Sequence, residues 1–202
     1  MTEPIDEPIS KGDRTRAALI DSAYEQFTQR GYHGASMRAI AEGAGLAVGG
    51  IYNHFASKDA VFEAVIIAHH PLMKIMPQLT SLEGDTLADL LRSAINRAGA
   101  ELDAQPRIFN LLMIELIECE GRHVPVLAEK LLPRLAGFIA LIQGRSNELR
   151  AMPDMAFAQL FVGTLFAHWF TSRLLIQAGV PSPALADADL FIDVLLHGVQ
   201  HK

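Results

Sequence analysis

Residues 31–58 read GYHGASMRAIAEGAGLAVGGIYNHFASK, and the polar side chains of this stretch are hydrogen-bond donors rather than a nucleophile with its base. Ser36, placed to cap a helix, can offer its hydroxyl beside free backbone N–H groups, a combination that holds an anion such as a phosphate. Tyr52, His54 and Lys58 can donate to further phosphates, and Lys58 stands at a predicted helix start whose N–H groups suit an anion. Asn53 adds one amide. Other chemistries fit less well. Gly43, Gly45 and Gly49 give the GxGxxxG spacing of a dinucleotide-binding turn, but that turn needs a strand before it, and residues 36–44 have a helical period. With no Gly-x-Ser-x-Gly elbow and no Walker loop, an enzyme is not expected. His69 and His70 are adjacent and point in different directions on a helix, while Glu115, Glu118, Cys119 and His123 would converge only by chance. No metal and no cofactor are therefore expected.

The elements that must position these donors are helices. Apolar residues recur at helical spacing almost everywhere after Arg14, and no alternating run reads as a strand. Ile20, Ala23, Tyr24 and Phe27 define a first helix that Gly31 should stop. Ser36 caps a short second helix carrying Met37, Ile40, Ala41 and Ala44, closed by Gly45. A third holds Ile51, Tyr52 and Phe55, and Ser57 caps a fourth through Val61, Val65 and Ile66. The second and third are joined by a tight, glycine-containing connection, the arrangement of a helix-turn-helix. Beyond about Pro71, breaks at Pro77, Gly84, Pro106, Gly121, Pro125, Pro153 and 179–183 divide the rest into further helices. Pro133 should kink one of them, and Ser182 with Pro183 should launch the last.

Taken together, residues 31–58 resemble the DNA-binding signature of the tetracycline-repressor (TetR) family. The matching features are the helix end from Phe27 to Gly31 and Tyr32, Ser36 at the cap, Ile40 with Ala41, Ala44 with Gly45, Ile51 with Tyr52, His54 with Phe55, and Ser57 with Lys58. The resemblance covers the first third of the chain. It implies an all-α protein with an N-terminal three-helix helix-turn-helix DNA-binding domain over residues 11–71. A C-terminal helical domain over 72–202 would bind an effector and dimerise. It also implies that Arg38 reaches a base edge, where a guanidinium pairs with guanine O6 and N7. The third helix departs from the family pattern: where a polar cap, a Lys or Arg and a Thr are usual, this chain has Ala47, Val48, Gly49 and Gly50. Hydrogen-bonded base reading from that helix is then nearly absent. Val48 and Ala47 are expected to touch thymine methyl groups, and the two glycines to let the backbone close to the DNA. Burial of Val48 beside Ile51 and Phe55 is the competing expectation.

Bulk properties bound this reading. Half of the residues are hydrophobic and 20% charged, enough apolar surface for a folded core. The net charge of −6 disfavours nucleic acid in general, but residues 11–58 carry Lys11, Arg14, Arg16, Arg30, Arg38 and Lys58 against Asp13, Asp21, Glu25 and Glu42. A single cysteine and no recognisable leader point to the cytoplasm. Residues 155–176 are apolar enough to suggest a membrane span, but His168 and Arg173 within them favour a helix buried from two sides.

The two helices near the end, 154–178 and the one holding Phe191, are expected to pair with their symmetry mates through Phe157, Phe161, Leu165, Phe170, Phe191, Val194 and Leu195. A homodimer would then hold two reading modules at the spacing of a palindromic operator in double-stranded DNA. An apolar pocket for a small-molecule effector is expected among Phe109, Met113, Glu115, Phe138, Phe166, His168 and Trp169. The resulting expectation is a ligand-released repressor. An activator, or a small-molecule carrier whose DNA module has degenerated, would fit the same helices.

Overall fold

The structure, a computed structural model, describes residues 10–79, 86–105, 107–143, 152–180 and 188–199, and all its regular elements are helices. In chain order they are α1 (Lys11–Gly34), α2 (Met37–Gly43), α3 (Val48–Ile51), α4 (Lys58–His69), α5 (Pro71–Leu79), α6 (Leu87–Ala104), α7 (Ile108–Ile117), α8 (Val124–Gln143), α9 (Asp154–Gln177) and α10 (Ala188–Val199). Among the described residues none forms a strand, and no helix is long and apolar enough to cross a membrane.

Local chemistry accounts for most of the boundaries. Ser10, Ser36 and Ser57 each accept a hydrogen bond from the backbone N–H three residues on, at 3.1 Å, so α1, α2 and α4 start on a satisfied cap. Thr86 and Asp89 form a reciprocal capping box that starts α6. Within α1, Gly31 takes φ 74° and ψ 173°, which interrupts the helix where its sequence position predicts a stop. His70 is extended because it precedes Pro71, and α4 ends there. Two expected breaks fall inside helices instead: Pro77 lies within α5, and Pro125 occupies the first turn of α8, where a missing N–H costs nothing. Pro133 lies within α8, inside a helix as expected. Gly84, Pro106, Ser182 and Pro183 lie outside the described residues.

The described residues form two compact units, one comprising residues up to 70 together with 107–127, the other 71–106 together with 128 onward. In the first, α1 packs against α2, α4 and α7. Leu19, Phe27, Ile40, Ile51, Val61 and Phe62 are fully buried in it. Phe27 meets Phe62 edge-on at 4.8 Å, and Tyr32 meets Phe62 at 5.2 Å. Such pairs add about 0.5–1.5 kcal/mol to the burial of each ring. In the second, α6 packs on α5, α9 and α10 around Leu87, Leu90, Leu91, Phe138, Phe157 and Phe161.

Candidate nucleic-acid interface

The helix-turn-helix expected from residues 31–58 is formed by α2, the turn at Gly45 and α3, held on α1 and α4. Each glycine of the turn has its own cause. Gly43 lies against α1, where an added Cβ would meet Ser22 Oγ at 2.3 Å. That hydroxyl donates to the Ile40 carbonyl at 2.8 Å, locking α1 to α2. Gly45 takes φ 72°, the left-handed conformation that reverses the chain into α3. Gly49 faces open space, with nothing within 4 Å of an added Cβ. Gly43 and Gly45 therefore serve a helix–turn–helix, Gly49 lies within α3, and among the described residues no strand precedes them.

Ile40, Ala41, Ile51 and Phe55 are buried beneath the motif. Outward, the structure exposes Ser36, Arg38, Ala47, Val48, Gly49, Tyr52 and Asn53, with Gly50, His54 and Lys58 half-buried. Val48 is 37% and Tyr52 54% exposed, so Ile51 is the buried position of α3; the helix ends at Ile51, short of the expected Phe55, which is buried just beyond it. Arg38 reaches Glu42 one turn on at 2.8 Å, an exposed pair that a stronger anion can outcompete. Lys58 donates to the carbonyls of Tyr32 at 2.9 Å and Ala35 at 3.1 Å and lies 4.4 Å from the Tyr32 ring centroid. It pins the end of α1 to the start of α4 and keeps one N–H beyond those two bonds.

Sequence reasoning missed the support behind this surface. Arg16 lies over the Phe55 ring at 4.8 Å. Asp59, in the first turn of α4, pairs with Arg122 at 2.8 Å, and burial together with the hydrogen bond to Asp59 pushes the Tyr32 hydroxyl up to about 12. Burial opposes ionisation of Asp59, yet the hydrogen bonds from Tyr32 and Arg122 hold its carboxyl below the usual range. Glu118 accepts from the His33 N–H at 3.1 Å, and Arg107 pairs with Glu25. Replacing Ser36 with alanine is expected to cost about 1 kcal/mol of stability, the usual value of such a cap, read as a lowered midpoint in urea.

The residues expected to line an effector pocket are divided between the two units. Phe109 and Met113 are half-buried on α7 in the first unit, and Glu115 is buried there against His123. Phe138, Phe166, His168 and Trp169 belong to the second unit, where Phe138 is spent in the core. Phe166 is 40% exposed and stacks on Phe170 at 5.8 Å. A cleft of about 410 Å³ lies between α6 and α9 in this unit, lined by Asn96, Asp103, His168, Trp169 and Arg173 among others. Arg173 pairs with Asp103 at 2.8 Å and lies 5.9 Å from the Trp169 ring. Burial lowers the His168 pKa below its ordinary value.

The residues expected at the dimer interface divide between core and surface. Phe157, Phe161, Leu165 and Leu195 are 4%, 2%, 6% and 7% exposed, consumed by the core of their own unit, and the Phe191 side chain lies outside the described residues. Val194, at 66% exposure, and half-buried Phe170 remain at the surface. The apolar circumference of α9 carries no sequence signal for its inward side.

Residues 19–65 match the family model described as "Bacterial regulatory proteins, tetR family". The chain is 42% identical over 57 residues to the HTH-type transcriptional activator FasR of Mycolicibacterium smegmatis, a match covering 28% of this chain and 26% of FasR. It is 35% identical over 66 residues to the HTH-type transcriptional repressor KstR2 of Rhodococcus jostii, covering 33% and 32%. The match thus spans about a quarter to a third of the length of these relatives. The crystal structure of the transcriptional regulator FadR of Bacillus subtilis, in complex with stearoyl-CoA, is similar over 91% of this chain and 99% of that one. Its TM-score is 0.67 at 18% identity, a likeness of fold.

Proposed function

We propose, from the membership of residues 19–65 in the tetR family of bacterial regulatory proteins, that this chain is a ligand-responsive DNA-binding transcriptional regulator and not an enzyme. It acts in the cytoplasm as a homodimer on a palindromic operator, as a repressor released by a small apolar or amphipathic molecule. The observation that carries the reading is the division of residues 36–58 into a buried face, with Ile40, Ala41, Ile51 and Phe55, and an outward face of donors and small residues. Ser36, Tyr52, His54 and Lys58 hold phosphates, Asn53 offers one amide near the groove, Arg38 exchanges Glu42 for a guanine edge, and Ala47, Val48, Gly49 and Gly50 admit the groove wall closely. The division into a reading domain over 11–71 and an effector and dimer domain over 72–202 stays part of this proposal.

The dimer seam moves around α9 from the sequence expectation. Leu160, Gly163, Ala167, Phe170 and Leu174 recur at intervals of three and four. Gly163 and Ala167 are exposed, and Leu160 and Leu174 are about half exposed, at 47% and 49%. This is the apolar seam of a helix that packs along another, with small residues where backbones approach. Val194 of α10 extends it. For the effector, the cleft bordered by His168, Trp169 and Arg173 suits a molecule with an apolar body and an anionic end. FadR, whose structure holds stearoyl-CoA, supports that class. An activator reading is favoured by the likeness to FasR; it shares the same contacts and differs in where the operator lies relative to the promoter.

Selection of bound fragments from the native genome, followed by gel shifts over a salt series, tests the proposal. A dimer making six to ten phosphate contacts should lose about 10³–10⁵ in affinity between 50 and 200 mM salt. Arg38→Ala should relax preference at one base pair of each half-site, worth about 1–3 kcal/mol. A protein that stays monomeric and binds no duplex in dilute buffer ends the proposal.

A further inference from the structure

Behind the interface, still within the first unit, the chain makes a tight turn after α7 in which Glu120 and Gly121 take φ 55° and 73°. This reversal brings Glu115, Cys119 and His123 together, with one donor atom of each within 4.8 Å of the others, and all three are buried. Glu115 clasps His123 with both oxygens, one accepting the backbone N–H at 2.7 Å and the other 2.7 Å from ring Nδ1. On the opposite edge of the ring, Nε2 is buried without a hydrogen-bond partner and lies 3.5 Å from Asp59 Oδ1.

A neutral imidazole has one ring proton and cannot serve both edges. With the proton on Nδ1, the Nε2 lone pair faces the Asp59 carboxylate; with the proton on Nε2, two lone pairs confront each other between Nδ1 and Glu115. A cation on the Nδ1 side removes the conflict, because the remaining proton then sits on Nε2 and points at Asp59. That is the carboxylate partner which metal-bound histidines usually have. The thiol decides which cation. A proton would make no use of Cys119, whereas a thiophilic divalent ion would take it as a third ligand.

We propose that Glu115, Cys119 and His123 Nδ1 bind a thiophilic divalent cation of the zinc class, with Asp59 as the outer carboxylate on Nε2. A thiolate and a carboxylate balance the charge of the ion, and Asp59 is already balanced by Arg122. Opening the Nδ1 to Glu115 separation from 2.7 Å to about 3.3 Å, the spacing of two ligands at ~2.0 Å on one tetrahedral ion, takes small side-chain rotations. Burial and the charge of Glu115 push the Cys119 thiol up to about 12; binding releases the Sγ proton, while the one ring proton of His123 moves from Nδ1 to Nε2. Affinity therefore rises with pH. The ligated turn carries Glu118 and Arg122, which hold the end of α1 and the start of α4.

Cobalt(II) titration of the full chain at pH 7.5 tests this. One equivalent should give a thiolate-to-cobalt charge-transfer band in the near ultraviolet and the visible bands of a tetrahedral ion, both displaced by zinc. Cys119→Ala, a small change at a buried position, should keep the helical circular dichroism and lose the charge-transfer band. Asp59→Asn should weaken binding about tenfold, as loss of an outer carboxylate does. A featureless titration of the wild type at tenfold excess of cobalt overturns the proposal. In that case ¹⁵N shifts showing His123 doubly protonated would assign the position to a proton. An unchanged band in Cys119→Ala overturns it as well, by placing the ion elsewhere.

Discussion

A Gly31→Ala variant is expected to lose about 2–4 kcal/mol of stability, an effect out of proportion to one added methyl group. Gly31 combines φ 74° with ψ 173°, a conformation that is essentially glycine's own and costs other residues roughly 1–3 kcal/mol. Space is denied as well, since the new Cβ would lie 2.6 Å from Glu118 Oε1. Moving that carboxylate breaks its hydrogen bond with the His33 N–H, worth about another 1 kcal/mol. For a chain of this size the midpoint of thermal unfolding should fall by roughly 4–16 °C. Removing the carboxylate separates the two causes: in a Glu118→Ala background the added cost of Gly31→Ala should shrink to the backbone strain alone. A melting temperature within a degree of wild type would show that the α1 end is not held as described.

Gly49→Glu should do the reverse, leaving the fold intact while operator affinity falls about a hundredfold, or ~2.7 kcal/mol. Nothing lies within 4 Å of an added Cβ at this position. Exchange of glycine within a helix gains up to ~1 kcal/mol, and an acidic side chain in the first turn of α3 suits the helix dipole. Thermal stability should therefore hold or rise. On DNA the same side chain holds the backbone off the groove wall and sets a negative charge against phosphates. Gly49→Ala should fall between, at about tenfold, by bulk alone. Equal losses of stability and binding would mean that α3 has been misread as a surface element. Retained binding would remove α3 from the interface. Opposite signs of effect at two glycines eighteen residues apart would follow from one being conformationally required and the other merely uncovered.

The Ser36 cap, the glycine turn and the period of Ile40, Ala41, Ile51 and Phe55 were legible because they act within a few residues of themselves. A cap needs only the N–H three positions on, and an amphipathic helix displays its buried side in its own spacing. The helical class and the reading motif could thus be identified from residues 10–70, and the same logic marked Gly31 as a stop.

Reading failed where the deciding partner was distant in sequence. The periodicity of α9 could not tell its inner side from its outer, because Phe157, Phe161, Leu160 and Leu174 are all apolar; only packing against α6 assigned the first two to the core. Lys58 had the composition of a phosphate donor, and the carbonyls of Tyr32 and Ala35, more than twenty residues away, showed that it also ties two helices together. Glu115, Cys119 and His123 carry no ligand motif in sequence, and it is the turn at Glu120 and Gly121, after α7 has ended, that brings them onto one another. The sequence alone determined what each segment forms, since backbone hydrogen bonds and caps are short-range. Tertiary structure decided which surfaces remain for a partner, because burial and charge pairing depend on whichever residues the chain brings back from far away.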